Sequence, residues 1–80
     1  MEKIPKIDSI KILSTTLIYV TFDNGHSRTF DISDKLKSPL YEPLKNYSFF
    51  KQAAIDIGGH GISWSDQIDI SEYELWTDGK

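Results

Sequence analysis

The strongest constraint on the fold is the run Leu17-Ile18-Tyr19-Val20-Thr21-Phe22-Asp23, which leads directly into Asn24-Gly25. Nearly every residue in it is β-branched or aromatic, the composition of a strand that buries a face. Asn-Gly is the pair that tolerates positive φ at both centres of a type I′ turn, so the chain is expected to reverse over Asp23-Asn24-Gly25-His26. His26 to Ile32 then reads as the return strand, with Ser27, Thr29 and Asp31 opposing Arg28, Phe30 and Ile32. Upstream, Ile7 to Leu13 sets Ile10 and Ile12 on one face and Lys11 on the other. The expectation is a three-stranded antiparallel meander.

Downstream the pattern changes. Ser33 is a candidate cap for a short turn of helix through Leu36. Pro39 and Pro43 interrupt the next stretch, because each lacks a donor and disfavours helix in the residue before it. Asn46 is a candidate cap for Tyr47 to Gln52, where Phe49 and Phe50 cannot both face inward but Phe50 can join Leu44 or Tyr47. Ala53 to Ile57 returns to strand, and Gly58-Gly59-His60-Gly61 turns into Ile62-Ser63-Trp64. Ser71-Glu72-Tyr73-Glu74 has the capping-box spacing of Ser followed three residues later by Glu, ahead of Leu75 and Trp76. These elements predict one α+β domain over residues 1–80. Its economical form is a small antiparallel sheet, the meander plus a second hairpin, with two or three short helices on one face.

A chain of 80 residues has too little material for a second core. With no cysteine, neither disulfides nor thiolate zinc sites can brace it. Stability must come from packing by four Phe, four Tyr and two Trp, or from a partner. The missing cysteines fit a reducing cytosol. The first residues carry no apolar signal run, and no stretch approaches the ~20 apolar residues of a membrane span. The expected location is therefore cytoplasmic, with no membrane partner. The net charge is −3, and the basic residues gather only loosely, at Lys3, Lys6 and Lys11. Affinity for nucleic acid rests on neutralising phosphates, so direct nucleic-acid binding is not expected.

Each candidate for chemistry has a plainer reading. His26 and His60, with Asp66 and Asp69, offer imidazole and carboxylate ligands, but no two histidines share a helical or strand face. Gly58-Gly59-His60-Gly61 lacks the following helix that gives a phosphate loop its donors, and a turn needing positive φ accounts for its glycines. His60, Ser63 and Asp66 lack a nucleophile elbow. No catalytic residue, metal or cofactor is assigned, and the chain is read as a non-enzyme. Trp64 stands apart, because it runs into a polar loop with Asp66 and Asp69, followed by Glu72 and Glu74. An aromatic rimmed by charge is either a core residue beside a solvated face or the start of a protein contact. Trp64, Asp66, Asp69, Glu72 and Glu74 are the candidate partner-binding residues.

Taken in order, Val20-Thr21-Phe22-Asp23-Asn24-Gly25, Phe30-Asp31-Ile32, Leu40-Tyr41-Glu42-Pro43-Leu44, Phe50-Lys51-Gln52 and Ile62-Ser63-Trp64 with Asp69-Ile70 resemble the bacterial domain-of-unknown-function 2442 family. The resemblance runs from about Ile7 to Trp76. It implies a small α+β domain with an antiparallel sheet, and no established activity. It also implies two contexts: members that continue into a helix-turn-helix DNA-binding domain, and members encoded beside another small protein in the manner of toxin–antitoxin pairs. The family's usual Trp-Pro-Asn-Gly run is replaced here by Trp64-Ser65-Asp66-Gln67, so the loop should differ in shape.

These readings make the chain a non-catalytic interaction module, antitoxin-like, for another small and basic protein. Two alternatives are an accessory or sensor domain in transcriptional regulation without its own DNA-binding element and, ranked last, a small metal-dependent enzyme.

Overall fold

In the computed structural model, residues 4–80 are described; Lys3, the first of the three loosely gathered lysines, lies outside them. The described residues form six strands: β1 (Ile7–Ile12), β2 (Leu17–Phe22), β3 (Ser27–Asp31), β4 (Ala54–Ile55), β5 (Gly61–Ser65) and β6 (Ile68–Ser71). Two short α-helices, α1 (Tyr47–Phe50) and α2 (Glu72–Asp78), join them, along with 3-10 turns over Lys35–Lys37, Pro39–Lys45 and Ile57–Gly59. The α+β class follows from this order. The strands divide into two antiparallel sheets, β1-β2-β3 and β4-β5-β6, rather than extending one. Register breaks between Ile7 and Ser9 at the start of β1, and β4 ends after two residues in a 3-10 turn. Neither strand therefore offers the other a straight ladder to extend.

Burial follows the period-two pattern. Ile18, Val20 and Phe22 on β2 and Phe30 on β3 point inward and are buried. Opposite them, Ile62, Ile68 and Ile70 supply the second sheet's contribution to the same core. Leu44 and Phe50 close it from the middle segment and Leu75 from α2, while Phe49 stays half-buried. The helix α2 lies against β3, β5 and β6, so it ties the two sheets together.

Local signals hold unevenly. The Asn46 side chain accepts from the Phe49 N–H at 3.3 Å, and Ser71 Oγ accepts from the Glu74 N–H at 3.2 Å, both as caps. Ser33 does not cap: its hydroxyl donates to Asp31 Oδ1 at 2.6 Å, and the turn at Lys35–Lys37 starts from Asp34. The turn after β2 is not type I′. Gly25 alone has positive φ, at 86°, and Asn24 spends its side chain accepting from the His26 N–H at 3.0 Å. Such an Asx turn holds Asn24 locally with no need of positive φ. The strand expected over Ala53–Ile57 shortens to Ala54–Ile55, leaving Ile57 at 98% exposure.

Candidate functional site

The β5–β6 hairpin carries the first three candidates. Ser63 pairs with Asp69 and Ser65 with Ile68, so Trp64 is the extra residue of a bulge. The bulge turns the indole toward α1, where its ring stacks on Phe50 with centroids 6.1 Å apart. Its Nε1–H donates to the Phe50 carbonyl at 2.7 Å. Trp64 is half-buried, packed against the core with part of its surface still in solvent. Asp66, in the turn, and Asp69, on β6, are exposed and form no ion pair among the described residues. The Asp69 carbonyl accepts from the Tyr41 hydroxyl at 3.3 Å, which brings the Tyr41-Glu42 segment to the same surface.

Glu72 and Glu74 have different settings. Glu72 accepts from Lys6 Nζ at 2.7 Å and lies 3.6 Å from His60 Nδ1, and its backbone N–H donates to the His60 carbonyl at 3.0 Å. This half-buried carboxylate fastens α2 to the N-terminal segment and to the β4–β5 loop. Glu74 is paired with Lys35, whose ammonium also sits 4.9 Å from the Tyr41 ring centroid. The five candidates thus split in two. Trp64, Asp66 and Asp69 share the hairpin, while Glu72 and Glu74 have their charge matched within the chain.

The residues weighed for chemistry are placed apart by function. His26 lies against Trp76, ring centroids 5.8 Å apart. Ser63 Oγ donates to Asp56 Oδ1 at 2.7 Å, bracing the β4–β5 hairpin. Among the described residues no three of His, Asp and Glu gather where they could share a metal ion. Among the described residues no helix is long and apolar enough to cross a membrane.

Sequence reasoning overlooked Arg28, the only arginine in the chain. Its guanidinium lies 4.1 Å from the Trp76 ring centroid, and its Nη1 donates to the Ser27 carbonyl at 2.9 Å. Trp76 in turn meets Phe22 edge-on at 5.1 Å. Being the sole arginine was the one available signal; its stacking partner lies 48 residues away.

No curated protein and no solved structure matches the chain. A family model does, described as a protein of unknown function, DUF2442, and it matches residues 7–80. The ordered motifs from Val20 to Ile70 and the meander they build lie wholly within that span, and the chain belongs to the DUF2442 family.

Proposed function

We propose that the chain is a non-catalytic module that binds another protein of basic surface, acting as the neutralising member of the pair. The observation that carries this reading is the state of Asp66 and Asp69. Both are exposed without a cation among the described residues, beside a half-buried tryptophan, whereas Glu72 and Glu74 are matched by Lys6 and Lys35. Unmatched surface carboxylates steer a basic partner, and an aromatic at their edge adds affinity once water is excluded.

Co-purification of the tagged chain at native expression levels, followed by association kinetics with the recovered protein, tests the proposal. Asp66→Lys with Asp69→Lys should slow association, flatten its salt dependence and leave the circular dichroism spectrum unchanged. A chain that elutes without a stoichiometric partner, or one whose binding ignores the charge reversal, overturns it.

A further inference from the structure

The strand β3 lies at the edge of its sheet. Its hydrogen bonds to β2 are flanked by Ile32 N–H to the Thr16 carbonyl, 2.9 Å, and Phe22 N–H to the His26 carbonyl, 2.8 Å. The antiparallel ladder alternates, so Ser27, Thr29 and Asp31 turn their backbone groups away from β2. Those outward groups meet different fates. The Ser27 carbonyl accepts from Arg28. Thr29 exchanges both hydrogen bonds with Lys80, at 2.7 and 2.9 Å, the reciprocal pattern of an antiparallel pair. The Asp31 N–H and carbonyl have no partner among the described residues. Asp31 also lines a cavity of about 400 Å3, together with Leu17, Thr29, Ser33, Asp34, Asp78 and Lys80.

What sits on this edge is itself informative. The preceding Gly79 is extended, with φ −71° and ψ 158°, and Lys80 is basic. An extended, basic residue already pairs with the strand beside three carboxylates, and it covers only one of the outward pairs. We propose that the β3 edge accepts an extended lysine-rich segment of a partner protein, which displaces Lys80 and pairs with Thr29 and Asp31. Main-chain hydrogen bonds supply the affinity of such strand addition, and flanking charges supply the selectivity. Asp34, whose side chain is 96% exposed and lies 3.5 Å from Lys37 Nζ, can exchange that solvent-facing pairing for an incoming ammonium. Lys80 acts meanwhile as a guard on an edge that would otherwise pair indiscriminately. The inference rests on reading the chain as a binder of basic protein, but it names a surface separate from the β5–β6 hairpin.

The test is an NMR titration of the full isotopically labelled chain with a capped peptide of about six residues alternating valine and lysine. Saturable shifts should be confined to Ser27–Asp31 and Asp78–Lys80. Asp34→Lys should weaken binding roughly ten-fold. Lys80→Pro, which removes the guarding N–H and the competing charge, should strengthen it several-fold. The peptide alternating valine with glutamate should not bind. Equal binding of the glutamate peptide, shifts centred on Asp66 and Asp69, indifference to Lys80→Pro, or no shifts at millimolar peptide would each overturn the β3 assignment. The first and last of these leave the hairpin proposal standing, because that one is read from association with the recovered partner.

Discussion

The two glycine-bearing hairpin turns look alike in sequence and are held for different reasons. At the β2–β3 turn, Gly25 has φ 86° and a side chain there would meet nothing within 4 Å. Its geometry is closed by its own neighbours: Asn24 accepts from the His26 N–H, and Gly25 N–H donates to the Phe22 carbonyl at 3.0 Å. At the β4–β5 turn, Gly59 has φ 73°, and a Cβ there would stand 2.6 Å from the Ile7 carbonyl oxygen. Gly61 has no positive φ at all and is small because the Ile70 carbonyl passes where a Cβ would be, 2.8 Å away. One turn is a local device, and the other is a docking point between sheets. A glycine can thus serve torsion, space or both, and only its surroundings tell which.

Substitution separates the two. Gly59→Ala adds a backbone clash to an unfavourable torsion and should cost about 3 kcal/mol, the largest effect expected here. Chemical denaturation measures it, and a loss below that of the β2–β3 turn would mean that the β4–β5 loop is not clamped on β1. Gly25→Val has open space and only the torsional penalty, so it should cost on the order of 1–2 kcal/mol. An unchanged melting temperature for Gly25→Val would instead remove the positive φ from that turn.

The smallest effect concerns another local device at the far end of β3. Asp31 is held below the ordinary carboxylate value, chiefly by the Ser33 hydroxyl and also by the Ser33 N–H. A depressed folded pKa makes the anion stabilising above the unfolded value of about 4, and that contribution fades as pH falls through the folded value. The melting temperature of the parent chain should therefore slightly exceed that of Asp31→Asn near neutral pH. The gap should close in acid, as a pH series of thermal melts would show. A gap that widens in acid would contradict the arrangement.

The same division runs through what could be read from the residues. The meander from Ile7 to Asp31, the caps at Asn46 and Ser71, and the turn at Gly25 are contacts between near neighbours. Propensity and spacing are enough for those. The type I′ geometry expected at Asn24 and the cap expected at Ser33 failed because each polar side chain had a competing acceptor or donor two residues away. Pattern alone does not rank such local alternatives. The candidate residues Trp64, Asp66 and Asp69 were legible as an aromatic followed by charge. That Glu72 and Glu74 are matched was not, since Lys6 and Lys35 lie 66 and 39 residues from them in the chain.

The amino-acid sequence by itself determined the three strands of the meander, their alternating faces and the family. Ile68–Ser71, expected as polar loop through Asp69, is instead strand β6, and the strand expected over Ala53–Ile57 kept only two residues. Tertiary structure alone decided that the six strands part into two sheets, that Trp64 is turned by a bulge onto Phe50, and that Lys80 lies on the edge of β3. The physical reason is separation. Period, capping and turn chemistry act over a few residues, whereas ion pairs, edge pairing and close backbone approach depend on which distant segments the shared core of Phe22, Phe50, Ile62 and Leu75 brings together.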